Sequence, residues 1–235
     1  MADKGETSME LYLDTADLAE IRRLYELYPL DGVTTNPGIL ARAGGDPVKA
    51  LRGIRDIIGP DALMFAQVIP SDAEGMVRDA RAILKLLGDN TVVKVPAVPE
   101  GFRAIRLLSK QGVRTCGTVV YVPMQGFMAA KAGAEYVAPY VNRIDNLGYD
   151  GVGVSTQLHD MIAAHGLPAK VLAASFRNTQ QVQDLCRHGI AAATCAPAVL
   201  EGLVKNPAVD GAVRDFADAF AGLAGEENGM AELVG

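Results

Sequence analysis

An α/β fold of the (β/α)8 TIM-barrel kind is predicted by three features of the sequence. Eight short strand-like runs alternate with helical patterns from residue 9 onward. The 235 residues leave no stretch long enough for a second domain, so 1–235 reads as a single barrel with flexible tails at 1–8 and about 224–235. The competing architecture, a doubly wound open sheet, requires a Gly-rich phosphate loop after its first strand, and Asp14-Thr15-Ala16-Asp17 is unlike one.

The elements follow in order. Residues 11–14 read as strand one. Helical spacing at Leu18, Ile21, Leu24 and Leu27 marks a helix over 16–28, capped near Thr15 or Ala16. Strand two covers 32–36 and is ended by Pro37. A helix over 47–58 leads to strand three, 63–68. The amphipathic stretch 72–87 precedes strand four, 91–96, and 98–111 is helical. Strand five is expected at 113–118, a helix over 122–132, strand six at 136–141, and a long helix over 151–165 after a Gly-rich connection. Strand seven is 170–175, followed by a helix over 178–188 and strand eight at 190–195. Helical stretches over 197–204 and 207–222 close the chain.

Composition narrows the function classes. With 49% hydrophobic residues the chain can bury a substantial core. A net charge of -6 argues against nucleic acid or an anionic membrane as partner, while leaving an anionic metabolite open to local arginines. Cys116, Cys186 and Cys195 are odd in number and widely spaced, which fits a reducing cytoplasm and speaks against a disulfide framework or a zinc site. The polar start, Met1 to Ser8, lacks the apolar core of a signal peptide, and no apolar run reaches membrane-spanning length. A cytoplasmic protein is expected.

Strand four, Thr91-Val92-Val93-Lys94-Val95-Pro96, carries the informative anomaly. Short β-branched runs between turn residues are buried on both faces, yet this one holds a lysine. Burial disfavours an ammonium and favours the neutral amine, which is the nucleophile toward carbonyls. A strand-end lysine that snorkels to solvent is the competing account.

In a barrel, reactive groups come from the C-terminal ends of strands. Those ends carry Asp14, Thr34-Thr35-Asn36, Gln67, Lys94, Thr118, Tyr140 with Asn142 and Arg143, and Ser175 with Arg177. Residues two apart share a face, which pairs Thr34 with Asn36, Ala138 with Tyr140 and Ser175 with Arg177. Each alone has a duller explanation: Asp14 or Ser175 as a helix cap, Thr34 as strand filler, Tyr140 as core, Gln67 as a backbone partner. Their coincidence on one rim reads as a site. A desolvated amine on strand four would form a Schiff base with a ketone, and the iminium would serve as electron sink for C–C bond chemistry. Asp14 and Tyr140 are candidate proton carriers, Gln67 can position a water, and Arg143, Ser175 and Arg177 suit an anion clamp. No metal-ligand cluster is visible. His159, His165 and His188 fall on helices or a helix end, where solvated or structural roles are expected.

Leu13-Asp14-Thr15-Ala16, Gly32-Val33-Thr34-Thr35-Asn36-Pro37, Val93-Lys94-Val95-Pro96 and Ala174-Ser175-Phe176-Arg177 together resemble the transaldolase family of class I aldolases, over residues 9–222. Gln67 and Tyr140 are similar to the fructose-6-phosphate aldolase branch, since transaldolases carry Glu and Phe there. The resemblance implies Lys94 as the Schiff-base lysine. Asp14 would assist proton transfer and, with Thr34 and Asn36, hydrogen-bond the donor hydroxyls. Tyr140, with Gln67 and a bound water, would handle the proton at the hydroxyl of the cleaved bond. Thr118, with Ala138, would line the donor side, and Ser175 with Arg143 would hold phosphate. Arg177 matches the transaldolase Ser-Phe-Arg-Asn pattern instead, a lysine being common in the aldolase branch.

The implied reaction is cleavage or formation of fructose 6-phosphate from dihydroxyacetone and glyceraldehyde 3-phosphate, without a cofactor. The alternative is transaldolase transfer of a dihydroxyacetone unit between sugar phosphates. A homo-oligomer, pentamer or decamer, with an exchanged C-terminal helix is implied too; the stripe Val209, Val213, Phe216, Phe220 suits that or a cover for the chain's own barrel floor. A non-enzymatic sugar-phosphate sensor leaves Lys94 without a reason. A pyridoxal-phosphate enzyme is conceivable from a lysine beside a phosphate clamp, but no such cofactor is expected.

Overall fold

The computed structural model describes residues 8–225 and 229–234. The chain divides into two compact units, Met1–Leu200 and Glu201–Gly235. In the first, eight parallel strands close into a barrel in sequence order: β1 (Glu10–Asp14), β2 (Gly32–Thr34), β3 (Leu63–Gln67), β4 (Thr91–Pro96), β5 (Thr115–Val120), β6 (Tyr136–Pro139), β7 (Lys170–Ala173) and β8 (Ala192–Cys195). β8 returns to pair with β1, matching Tyr12 to Thr194. The (β/α)8 TIM barrel is the observed fold.

Between the strands run α1 (Leu18–Leu27), α2 (Pro37–Ala43), α3 (Pro47–Ile58), α4 (Ala73–Leu87), α5 (Pro99–Ser109), α6 (Pro123–Lys131), α7 (Val141–Asp145), α8 (Gly151–Ala164) and α9 (Thr179–His188), with α10 (Pro197–Gly202) after β8. Local chemistry sets their starts. Asp17, not Thr15 or Ala16, caps α1, accepting from the backbone N–H of Ala19 and Glu20. Asp46, Asp72, Asp150 and Asn178 cap α3, α4, α8 and α9 in the same way.

Period-2 alternation separates two apolar layers. Tyr12, Phe65, Val92, Cys116, Tyr136, Ala138, Leu172 and Ala192 fill the barrel interior. Phe65 meets Tyr12 and Tyr136 edge-on, at centroid distances of 5.0 and 5.2 Å. Val93, Val95, Ile105, Leu108, Val137, Leu158 and Val171 belong to the outer layer, packed under the helices. With Val92 inward and Val93 and Val95 outward, Lys94 is aimed into the barrel.

At the N-terminal mouth a polar plug closes the floor. Glu10 accepts from the Tyr12 and Tyr136 hydroxyls, each at 2.8 Å, and pairs with Lys170. Burial pushes the Glu10 carboxyl up, but the bonds from Lys170, Tyr136 and Tyr12 outweigh it and leave the carboxyl below its ordinary value.

Departures from the sequence reading concern strand ends; strand seven stops at Ala173 and strand eight starts at Ala192, each two residues short of the expected range. Strand two stops at Thr34, because Asn36 caps α2 with Pro37 in its first turn, and that helix was not expected. Strand six stops at Pro139 and α7 follows, also unexpected; Tyr140 keeps a single bridge to Ala174. Strand five starts two residues late, since Val113 closes onto the Leu108 carbonyl at the end of α5. β5 holds one extra residue between Gly117 and Val120, and Val119 sits there at φ 62°, a left-handed conformation costly for a β-branched side chain.

The second unit carries α11 (Pro207–Ala224) and the short α12 (Met230–Val234), the latter where a tail is expected. Asn206 caps α11, accepting from Ala208 N–H. The helix buries none of its side chains, and Val209, Val213 and Phe216 of the predicted stripe are exposed. Residues 1–7, 226–228 and 235 of the expected tails lie outside the described residues. Among the described residues no helix is long and apolar enough to cross a membrane.

Candidate active site

Lys94 is 2% exposed, and its Nζ donates to the backbone carbonyl of Thr35 at 3.0 Å. Its register partners are Gln67 on β3 and Cys116 on β5. The side chain is enclosed by the strands, as burial of strand four on both faces leads one to expect, and it does not snorkel to solvent. Burial pushes the neighbouring Cys116 thiol up to about 12 despite the pull of Lys94, so a neutral thiol lies beside the lysine.

Asp14 stands at the end of β1 opposite Thr34 of β2. The Thr34 hydroxyl donates to Asp14 Oδ1 at 2.7 Å and lies 2.6 Å from the Thr194 hydroxyl of β8. Burial raises the Asp14 carboxyl above its ordinary value; Lys94, the Thr34 bond, Arg42 and Arg143 oppose that without cancelling it. A carboxyl held this way exchanges protons more readily near neutrality than an ordinary aspartate.

On the far side, the Thr118 and Tyr140 hydroxyls are 2.9 Å apart and both residues are buried. The Arg143 guanidinium lies over the Tyr140 ring at 4.7 Å, and Tyr121 meets the same ring edge-on at 5.9 Å. Ala138 lies inside the barrel two residues before Tyr140. Ser175 adopts φ 63°, with its carbonyl accepting from Asn142 N–H at 2.7 Å. Asp145 on α7 accepts from the Gln181 side chain of α9 at 2.6 Å, and Gln181 accepts from the backbone N–H of Arg177 at 2.8 Å. That link ties the segment bearing Arg143 to the loop bearing Arg177.

Not every predicted contact is made. The Asn36 side-chain oxygen is used on Ile39 N–H as the α2 cap. Gln67 is half-buried and also borders an apolar groove beside Leu40, Ile69 and Ile83. Arg177 is exposed. Among the described residues there are no clusters of His, Cys, Asp and Glu able to hold a metal ion.

A family model described as Transaldolase/Fructose-6-phosphate aldolase matches residues 11–233, nearly the whole chain. The chain belongs to that family. Transaldolase/fructose-6-phosphate aldolase members are enzymes of the class I aldolase and transaldolase type acting on sugar phosphates, and that coarse function holds here. Two solved structures share the fold. One, described as "Native KDPGal structure", is 16% identical with TM-score 0.56, covering 83% of this chain and 85% of that one. The other, a thiamine phosphate pyrophosphorylase from Pyrococcus furiosus, is 14% identical with TM-score 0.56, covering 82% and 88%.

Sequence reasoning missed three groups around this candidate site. Thr194 shares the inward face of β8 with Ala192, so alternation within Ala-Ala-Thr-Cys carries a signal for it. Arg42 lines a small cleft with Asp14, Thr15 and Ile39, from a helix that was not predicted. The Thr35 carbonyl is a backbone group, which no residue pattern announces.

Proposed function

We propose that this enzyme is a Schiff-base aldolase that cleaves fructose 6-phosphate to dihydroxyacetone and glyceraldehyde 3-phosphate, and runs the reverse addition. The observation that carries this reading is Lys94, almost fully enclosed on β4 within the ring of strand-end polar groups. Its amine attacks the C2 ketone, and loss of water gives an iminium. The C3–C4 bond then breaks, its electron pair flowing into the iminium to form an enamine, while the C4 hydroxyl yields its proton as the aldehyde forms. Tyr140, whose hydroxyl lies beside that of Thr118, takes that proton while passing its own to a water positioned by Gln67 and so to solvent. Asp14 returns a proton to the enamine carbon, and hydrolysis of the second iminium frees dihydroxyacetone and Lys94. Arg143, Ser175 and Arg177 hold the phosphate, with Thr34, Asn36, Thr118 and Ala138 lining the donor side. No cofactor enters the scheme.

The lyase assignment rests on Gln67 and Tyr140. Arg177 favours the second reading, a transaldolase that passes the dihydroxyacetone unit to erythrose 4-phosphate. The exposed stripe of α11 supports assembly into a homo-oligomer, pentameric or decameric, and the three free cysteines fit a cytoplasmic location. The deciding experiment is glyceraldehyde 3-phosphate release from fructose 6-phosphate, coupled to a dehydrogenase, with and without erythrose 4-phosphate. Release without acceptor, absent in Lys94→Met, is expected. Release that depends on the acceptor makes the enzyme a transaldolase.

A further inference from the structure

Thr194 is 2% exposed on the inner face of β8. Its Oγ1 lies 2.6 Å from that of Thr34, which in turn donates to Asp14 Oδ1 at 2.7 Å. A hydroxyl has one proton to give, and an ionised carboxylate can only accept. With Thr34's proton spent on Asp14, the proton between the two threonines comes from Thr194. The result is one directed chain, Thr194 to Thr34 to Asp14 Oδ1, drawn from three neighbouring strands of the closed barrel.

We infer that Thr194 is a positioning residue for the reaction: it fixes the Thr34 hydroxyl on Asp14 Oδ1 and so leaves Oδ2 as the oxygen that exchanges protons with substrate. The inference rests on the proposed role of Asp14 as proton carrier. A hydroxyl that accepts a hydrogen bond becomes a stronger donor, so Thr194 also strengthens the bond that favours the Asp14 carboxylate. Packing alone gives no reason for a threonine here, since valine fills the same volume without a buried hydroxyl to satisfy. Among the described residues Thr34 is the one side chain that hydrogen-bonds Asp14. The other groups that act on or respond to this carboxyl are Lys94 on β4, Arg42 on α2, Arg143 on α7 and the Cys195 thiol on β8.

The test is the titration of Asp14 in the full-length protein, read by NMR of carboxyl-13C aspartate and assigned with Asp14→Asn. It is paired with the pH profile of kcat/KM for fructose 6-phosphate cleavage. Thr194→Val is expected to raise the Asp14 midpoint by about half to one pH unit, a roughly three- to tenfold gain in proton affinity. The acid limb of kcat/KM moves with it, kcat falls more than KM changes, and Thr194→Ser returns the midpoint toward wild type. A folded Thr194→Val protein whose Asp14 titrates as in wild type overturns the inference. Should valine prevent folding, Thr194→Cys, a weaker donor of similar size, gives the same reading. The NMR titration does not depend on turnover. A wild-type enzyme that fails to cleave fructose 6-phosphate therefore removes the proposed reaction, while the midpoint still decides the hydroxyl chain.

Discussion

The hydroxyls of Thr118 and Tyr140 lie 2.9 Å apart inside the barrel mouth, joining the end of β5 to the end of β6. Apart from catalysis, a buried phenol needs a partner, and Thr118 supplies it. Tyr140→Phe keeps the ring beneath Arg143 and removes the hydroxyl proposed as proton carrier. Cleavage of fructose 6-phosphate is expected to drop by about 100-fold or more, as for loss of a general acid–base group, with the lyase-to-transfer ratio shifting toward transfer. An unchanged ratio, measured with and without erythrose 4-phosphate, would show that Tyr140 does not set the branch. Thr118→Val should cost about tenfold, having left the phenol in place but unpartnered.

Lys94→Met separates chemistry from stability. The substitution is expected to reduce activity to background and to abolish borohydride trapping of dihydroxyacetone, read as a missing mass increment on the peptide containing residue 94. Thermal stability should hold or rise, because an apolar side chain of similar length removes a polar head from an enclosed site. A large fall in Tm would mean that the amine's bond to the Thr35 carbonyl matters chiefly for folding.

Asp14 and Glu10 sit at opposite ends of β1 and should give opposite pH signatures. The Asp14 carboxyl is raised by burial, so the folded state binds its proton more tightly than the unfolded chain does. Its contribution to stability is full below the unfolded value and is lost as pH rises through the folded one. Asp14→Asn is therefore expected to raise Tm at pH 7, more than at pH 3, while lowering activity. Equal Tm gains at the two pH values would contradict the assignment.

Glu10 runs the other way. Its carboxyl is lowered by the bonds from Lys170, Tyr136 and Tyr12, so its stabilisation is present above the unfolded value and lost as pH falls through the folded one. Glu10→Gln should cost about 2 kcal/mol near neutral pH, the usual scale for hydrogen bonds to a charged group, and lower Tm by several degrees. kcat and KM should stay as in wild type, because Glu10 lies at the N-terminal floor of the barrel, away from the strand ends that carry the chemistry. A selective loss of kcat would tie the floor to the site.

The chemistry-bearing strand ends were legible because a strand writes its faces into the sequence. Val92, Lys94 and Val95 sort by parity alone, and so do Ala138 with Tyr140 and Thr34 against Val33. The unpredicted helix α2 begins at Pro37, where strand two was expected to end, and α7 begins at Val141, where strand six was expected to continue. At Asn36-Pro37 the cap-and-proline pair is a local helix start that an extended reading overlooks, whereas Tyr140 makes no side-chain cap and packing decides there. The same limit applies to Asn36, a plausible substrate ligand in sequence whose side-chain oxygen caps a helix in the fold.

Position at the C-terminal ends of strands thus suggested Lys94, Asp14, Gln67, Thr118 and Tyr140 as one rim without reference to any contact. What parity cannot supply is distance across the chain. Thr34 and Thr194 are 160 residues apart and meet because β8 closes onto β1, while β2 flanks β1 on its other side. The meeting of those two hydroxyls, the enclosure of Lys94 under the Thr35 carbonyl, and the raised carboxyl of Asp14 all follow from that closure. Desolvation and hydrogen-bond geometry are properties of neighbours in space, and local periodicity carries no record of which strand becomes the neighbour.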